Sequence, residues 1–209
     1  MRERKKNAVK PEFSRRLLLK AAAVGMFGLI LSPMAGLARR ACAAVSGAGG
    51  KKVLVVYYSR SGNTRNMANQ IHARVGGDIV ELQTVHPYPE EYRATTEQAK
   101  KELQSGFKPA LKTQVENIGT YDIVFVGSPN WWSTMASPVW TFLSDYDLSG
   151  KTLVPFITHE GSGLGKSVSD LKSLCPNSTI LEGLAVRGSA VGNSGSKIAE
   201  WLRTIGMAN

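Results

Sequence analysis

The sequence predicts an α/β protein organised around one doubly wound parallel β-sheet. Three observations point to it. The segments that read as strands are continuous apolar runs, as at 53–58, the pattern of strands covered on both faces. Helix-like stretches separate these runs one after another, and such alternation gives a single parallel sheet through right-handed crossovers. The loops after three of the strands collect small, hydroxylic and aromatic residues, as expected at the carboxyl edge where these sheets bind ligands.

In chain order, the expected strands are 53–58, 79–82, 123–126, 153–157 and 180–186. The expected helices are 64–75, 90–104, 138–145, 165–174 and 195–205. Loops 86–89 (HPYP) and 107–112 flank the second helix and read as structural. With 209 residues the chain holds one mid-sized domain and an appendage.

The appendage is N-terminal. Arg2, Arg4, Lys5, Lys6 and Lys10 form a basic start, and residues 21–38 follow as an uncharged, moderately apolar stretch, the layout of an export signal. The run Ser14-Arg15-Arg16-Leu17-Leu18-Leu19-Lys20 resembles the twin-arginine signal. Ala41-Cys42-Ala43 supplies small residues for cleavage. Gly25, Gly28, Ser32, Pro33 and Gly36 make the stretch a poor membrane anchor, and Arg39 and Arg40 stand where a lipid-attachment motif needs small or apolar residues. Residues 1–44 are therefore expected to be a signal, 45–50 a flexible linker and 51–209 the folded domain. The protein is expected to be exported to the periplasm, anchored only if the signal stays uncleaved. The export machinery is then one partner, and the membrane is touched only through the signal. Passengers of that route often fold around a cofactor before crossing.

The formal charge of +10 is not a nucleic-acid signature. Residues 1–43 hold ten Lys or Arg against two Glu, leaving only +2 for the rest. Cys42 and Cys175 build no disulfide framework, and Cys175 reads as a buried small hydrophobe.

The first strand ends in Ser59, Arg60, Ser61, Gly62, Asn63 and Thr64, and a helix starts there. A helix start offers unpaired N–H groups and a positive dipole end, glycine permits close approach, and the hydroxyls of Ser59, Ser61 and Thr64 can donate. These residues suit a phosphate without a lysine, although an ordinary polar turn with a Thr cap has the same composition. The segment 160–167 (EGSGLGKS) differs from a phosphate-binding Walker loop by Glu160 in place of its first Gly, which sets a negative charge beside a triphosphate.

Beyond the third strand stand Pro129, Asn130, Trp131 and Trp132, and two adjacent tryptophans there offer at least one stacking wall for a flat ring. Beyond the fourth come Thr158, His159, Glu160, Gly161 and Gly163, which bring polar groups and close-approach glycines to the same edge.

These three loops together, S-R-S-G-N-T, G-S-P-N-W-W and T-H-E-G-S-G, resemble the bacterial flavodoxin-like family over 51–206. The resemblance implies a flavodoxin-like three-layer sandwich with a five-stranded parallel sheet in the order 2-1-3-4-5, and FMN as cofactor. It implies that Ser59 to Thr64 hold the phosphate, Pro129 to Trp132 flank the isoalloxazine, and Thr158 to Gly163 close the other side. The near-neutral domain departs from the acidic character of typical electron-carrying flavodoxins. Expected functions are electron transfer to a redox protein; alternatively reduction of a quinone-like small molecule with NAD(P)H, with His159 as proton donor; or flavin-free binding. An aromatic wall without a nearby lysine or arginine would hold the potential low.

Overall fold

The structure, a computed structural model, describes residues 50–207. The expected signal, 1–44, and the linker before Gly50 lie outside the described residues. Among these, seven strands and five helices follow one another: β1 (Val53–Tyr57), α1 (Asn63–Val75), β2 (Asp78–Glu81), α2 (Tyr92–Ser105), β3 (Ile123–Trp131), β4 (Thr134–Met135), α3 (Ser137–Asp145), β5 (Thr152–His159), α4 (Ser167–Leu174), β6 (Thr179–Ile180), β7 (Leu184–Arg187) and α5 (Gly195–Thr204).

Continuous apolar strands arise because each feeds two cores. In β1, Val53, Val55 and Tyr57 face one cluster, with Met67 and Ile71 of α1 and Ile198 and Leu202 of α5. Leu54 and Val56 face the other, with Val139 and Phe142 of α3 and Leu171 of α4. Side chains alternate across a strand, so only a sheet sandwiched between helices makes every position apolar. Cys175 lies in the second core as a free thiol, and burial pushes its pKa up. Among the described residues no helix is long and apolar enough to cross a membrane.

The sheet runs β2-β1-β3-β5, with β6 and β7 sharing the last place beside β5, and these pairings are all parallel. This is the expected 2-1-3-4-5 order, but the expectation of five strands is corrected to seven. β4 is an antiparallel return against the end of β3. The last strand breaks because of Pro155. Register pairs Leu153 with Ile180 and Phe156 with Leu184, so Val154 and Pro155 stand opposite Leu181, Glu182 and Gly183, one residue more. The Leu181 N–H donates to the Leu153 carbonyl at 3.0 Å. Alternate residues of β5 therefore face this neighbour, Pro155 among them, and proline has no N–H for the ladder. Gly183 fits against it; a Cβ there would lie 3.1 Å from Pro155 Cγ.

β1 ends at Tyr57 opposite Gly127, whereas β3 runs on to Trp131 beside the end of β5, where Pro129 pairs with Thr158. The three sequence-predicted loops thus meet at one carboxyl edge.

Candidate functional site

The first loop is a helix start whose Ser61 and Asn63 line the cleft. Gly62 is the N-cap of α1 with φ 91°, a left-handed value natural to glycine, and no side chain caps the helix. Ser59 Oγ instead accepts the N–H groups of Gly62 and Arg65, both at 3.2 Å, and so braces the loop from behind. Among the described residues no acceptor pairs with the backbone N–H of Ser61, Asn63 or Thr64. Three free donors at the positive end of a helix make an anion site.

The hydroxyls serve differently from expectation. Thr64 is 1% exposed, and its Oγ1 lies 2.8 Å from Thr158 Oγ1, tying the first loop to the end of β5. Ser61 and Asn63 line the cleft. Beneath the loop, the Arg65 guanidinium grips Glu81 through two bonds of 2.7 and 2.6 Å, and the Tyr57 hydroxyl donates to the same carboxylate at 3.2 Å. Burial first, and then the Glu81 charge, push the Tyr57 hydroxyl up to about 12.

The second loop is a hairpin. Asn130 pairs with Met135 and Trp131 with Thr134, leaving Trp132 and Ser133 as a two-residue turn at φ 52° and 69°. Positive φ at both central positions is the twist that short hairpins require, usually met by Asn or Gly. The two tryptophans therefore separate. Trp131 is half-buried and packs edge-on against Tyr58 and Tyr88, ring centroids 5.5 and 5.0 Å away. Trp132 is 55% exposed at the tip, its indole N–H donating to the Thr96 carbonyl of α2 at 3.0 Å. The Lys100 ammonium stands 5.0 Å from its ring centroid.

The third loop holds the hairpin from the other side. Asn130 Nδ2 donates to the Gly163 carbonyl at 3.0 Å, and the Lys166 N–H donates to the Ser133 carbonyl at 2.6 Å. Gly165 is required at this crossing, since a Cβ there would lie 2.3 Å from the Ser133 carbonyl oxygen. The Walker-like segment thus serves to seat the hairpin. His159 Nδ1 accepts the Gly161 N–H at 2.9 Å, which places a neutral ring's proton on Nε2. Glu160 is exposed and lies 3.7 Å from Arg187.

The second helix, which carries none of the sequence-predicted site residues, forms a further wall of the cleft. Glu91 caps α2 by accepting the N–H groups of Arg93 and Ala94 at 2.8 and 2.7 Å, worth about 1 kcal/mol. This aims Tyr92, Thr95, Thr96 and Ala99 into the cleft. Arg60 joins the two regions: it donates to the Glu90 carbonyl at 2.6 Å and to Thr95 Oγ1 at 3.2 Å, and its guanidinium lies 5.5 Å from the Tyr92 ring centroid. Tyr88 of the HPYP loop backs Trp131 and donates to the buried Glu102, whose other oxygen accepts from Gln98 at 2.8 Å. Burial chiefly, with the Glu102 hydrogen bond, pushes the Tyr88 hydroxyl well up. A proline-flanked tyrosine before a capped helix was the available signal. The premise of a cation-free aromatic wall is also corrected, since Arg60 lines the cleft and Lys100 covers Trp132.

All of this surrounds one cleft of about 860 Å³, within the size range of cofactor sites. Arg60, Ser61, Asn63, Pro129 to Trp132 and Thr158 to Gly161 line it, while Ser59, Gly62, Thr64 and Gly163 shape it from behind. It joins free anion donors to a half-buried aromatic wall, a fit for a planar ring bearing a phosphate. Among the described residues no group of His, Cys, Asp and Glu could hold a metal ion.

Residues 52–205 match the family model described as Flavodoxin. A Bacteroides eggerthii protein assigned by its description to the flavoproteins is 34% identical, with a TM-score of 0.64 over 75% of this chain and 98% of that one. A Bacteroides uniformis protein so described is 25% identical, with a TM-score of 0.66 over 73% and 98%. The flavoprotein of Lactobacillus acidophilus, solved in complex with FMN, is 25% identical, with a TM-score of 0.56 over 70% and 99%. No curated protein matches the chain.

Proposed function

The chain belongs to the flavodoxin family, and from that premise we propose that it is an FMN-dependent redox protein transferring electrons outside the cytoplasm. The observation that carries the reading is the joining, in one cleft, of the free N–H groups of Ser61, Asn63 and Thr64 to the Trp131 wall. These N–H groups would hold the phosphate of FMN at the positive end of α1. Pro129 to Trp132 and Thr158 to Gly163 would hold the ring, with Trp131 kept in place by Tyr58 and Tyr88. Bound FMN supplies one- and two-electron chemistry, and the chain holds it, orients it and screens one side from water. Arg15 and Arg16 in the N-terminal segment direct export by the twin-arginine route.

An absorption spectrum of the exported protein tests the cofactor: a yellow protein that releases FMN on denaturation is expected, and a colourless protein that FMN does not restore would overturn the reading. Replacing Arg15 and Arg16 by lysine should leave the protein in the cytoplasm; unimpaired export would remove the twin-arginine assignment.

A second reading, a reductase of small molecules, is favoured by the exposed aromatic rim formed by Tyr92 and Trp132. There the Nε2–H of His159 would donate a hydrogen bond to an oxygen of the product, whose protons come from the reduced flavin and solvent.

A further inference from the structure

A second cavity, of about 590 Å³, lies between residues 58–60, the end of β2 and the segment 82–90. Its lining shares only Arg60 with that of the cofactor cleft. The 82–90 wall is held in shape by three bonds: the Val85 N–H donates to the Ala110 carbonyl at 2.9 Å, the Lys112 N–H to the Gln83 carbonyl at 2.7 Å, and Thr84 Oγ1 to the His86 carbonyl at 2.8 Å. Pro87 and Pro89 stiffen the rest, since each ring fixes its own φ. A pre-formed cavity of this size is what small-molecule sites use.

Tyr58 lines this cavity and is 7% exposed. Its hydroxyl has no hydrogen-bond partner among the described residues and is not sealed from solvent, so it is a donor without an acceptor. Burial holds the phenol well above its ordinary range, against the pull of the Arg60 charge, and keeps that proton in place. Arg60, Arg65 and Lys112 stand on the lining against Glu81 and Glu90, an excess of one positive charge. Glu81 is already occupied by Arg65 and the Tyr57 hydroxyl. The Lys112 ammonium has no carboxylate partner among the described residues. Beside these donors Val85, Pro87 and Pro89 supply apolar surface, and Val85 stays 51% exposed although its backbone is pinned. Donors with one net positive charge next to an apolar wall suit one carboxylate on a compact apolar body, whereas a phosphate dianion would leave a charge uncompensated.

We propose that this cavity is a second ligand site, for a small monocarboxylate with a compact apolar body. The carboxylate meets Tyr58, Arg60 and Lys112, and the body lies against Val85, Pro87 and Pro89. Because the two linings meet at Arg60 alone, the carboxylate and the cofactor bind together and do not compete. The site does not rest on the FMN reading.

Calorimetric titration of the full chain with cyclohexanecarboxylate, a puckered probe unsuited to a flat-ring cleft, tests it with and without added FMN. Saturable binding is expected in both cases, and the neutral cyclohexanecarboxamide should bind at least about tenfold more weakly. Tyr58→Phe, which keeps the ring and removes the hydroxyl, should weaken the carboxylate about tenfold. Lys112→Gln, at an exposed position, should weaken it about threefold and leave FMN affinity unchanged. Absent binding, equal affinity for the amide, unchanged affinity in both variants, or displacement of the carboxylate by FMN would overturn the site. Inorganic phosphate binding as tightly as the probe would overturn the assignment to a carboxylate on an apolar body. Carboxylate binding by a chain that takes up no FMN would overturn the FMN reading and leave this site standing.

Discussion

The phosphate end of the cleft and its ring end are constructed in opposite ways. The phosphate end is local: six consecutive residues, Ser59 to Thr64, contain the turn, the brace and the free donors, and a helix start supplies the field. The ring end is assembled from the hairpin of β3 and β4, the loop after β5, and α2, held together by single hydrogen bonds such as Asn130 to Gly163 and Trp132 to Thr96. A local device is legible in sequence and sensitive to one charge. An assembled one hides its geometry and fails through packing.

The largest expected effect is at the phosphate end. Ser61→Asp sets a carboxylate among donors meant for an anion, and FMN affinity should fall about a hundredfold while riboflavin affinity stays unchanged. Fluorescence titrations with both flavins check it, and an equal loss for riboflavin would mean that the loop does not read the phosphate.

At the ring end, Trp131→Ala should weaken FMN and riboflavin alike, by about tenfold, and cost about 2 kcal/mol of stability because Tyr58 and Tyr88 lose their partner. Denaturant unfolding beside the same titrations reads both. A variant that loses FMN but keeps riboflavin would erase the distinction between the two ends.

A smaller effect is alkaline. The fold holds Tyr57 protonated to about 12, above its ordinary value near 10. Its stabilisation is therefore complete below about pH 10 and is lost as pH rises toward 12, since the unfolded chain gives up the proton first. Tyr57→Phe should flatten part of that decline in a pH series of unfolding midpoints, leaving the share due to Tyr121, also held up to about 12 by burial and Asp78, and to Tyr58 and Tyr88, which burial pushes up further. An unchanged slope would remove Tyr57 from the brace under the phosphate loop.

The smallest effect belongs to Trp132→Gly. Relief of its left-handed backbone, about 1 kcal/mol, offsets the lost indole hydrogen bond and cation contact, so stability should move by less than about 0.5 kcal/mol. A loss above about 2 kcal/mol would make the tip a packing element like Trp131.

The parallel, doubly covered sheet was legible because every central strand is apolar on both faces, its strand order came only with the family resemblance, and the three loops were legible because each is contiguous. The broken last strand was not: a single proline in β5 forces a bulge in a neighbour more than twenty residues away, about which local apolar content says nothing. Nor do adjacent tryptophans announce that a two-residue turn sends one inward and one onto α2. The polar stripe of α2 reads as a solvated face until Arg60 and Trp132 bring it against the cleft.

The central claim is that one cleft reads both a phosphate and a flat ring, and side-by-side titration of the flavin-free protein with FMN and riboflavin tests it most directly. The account predicts that both bind and that FMN binds about a hundredfold more tightly, the share of the free N–H groups of Ser61, Asn63 and Thr64. Equal affinities, or binding of neither, would contradict it.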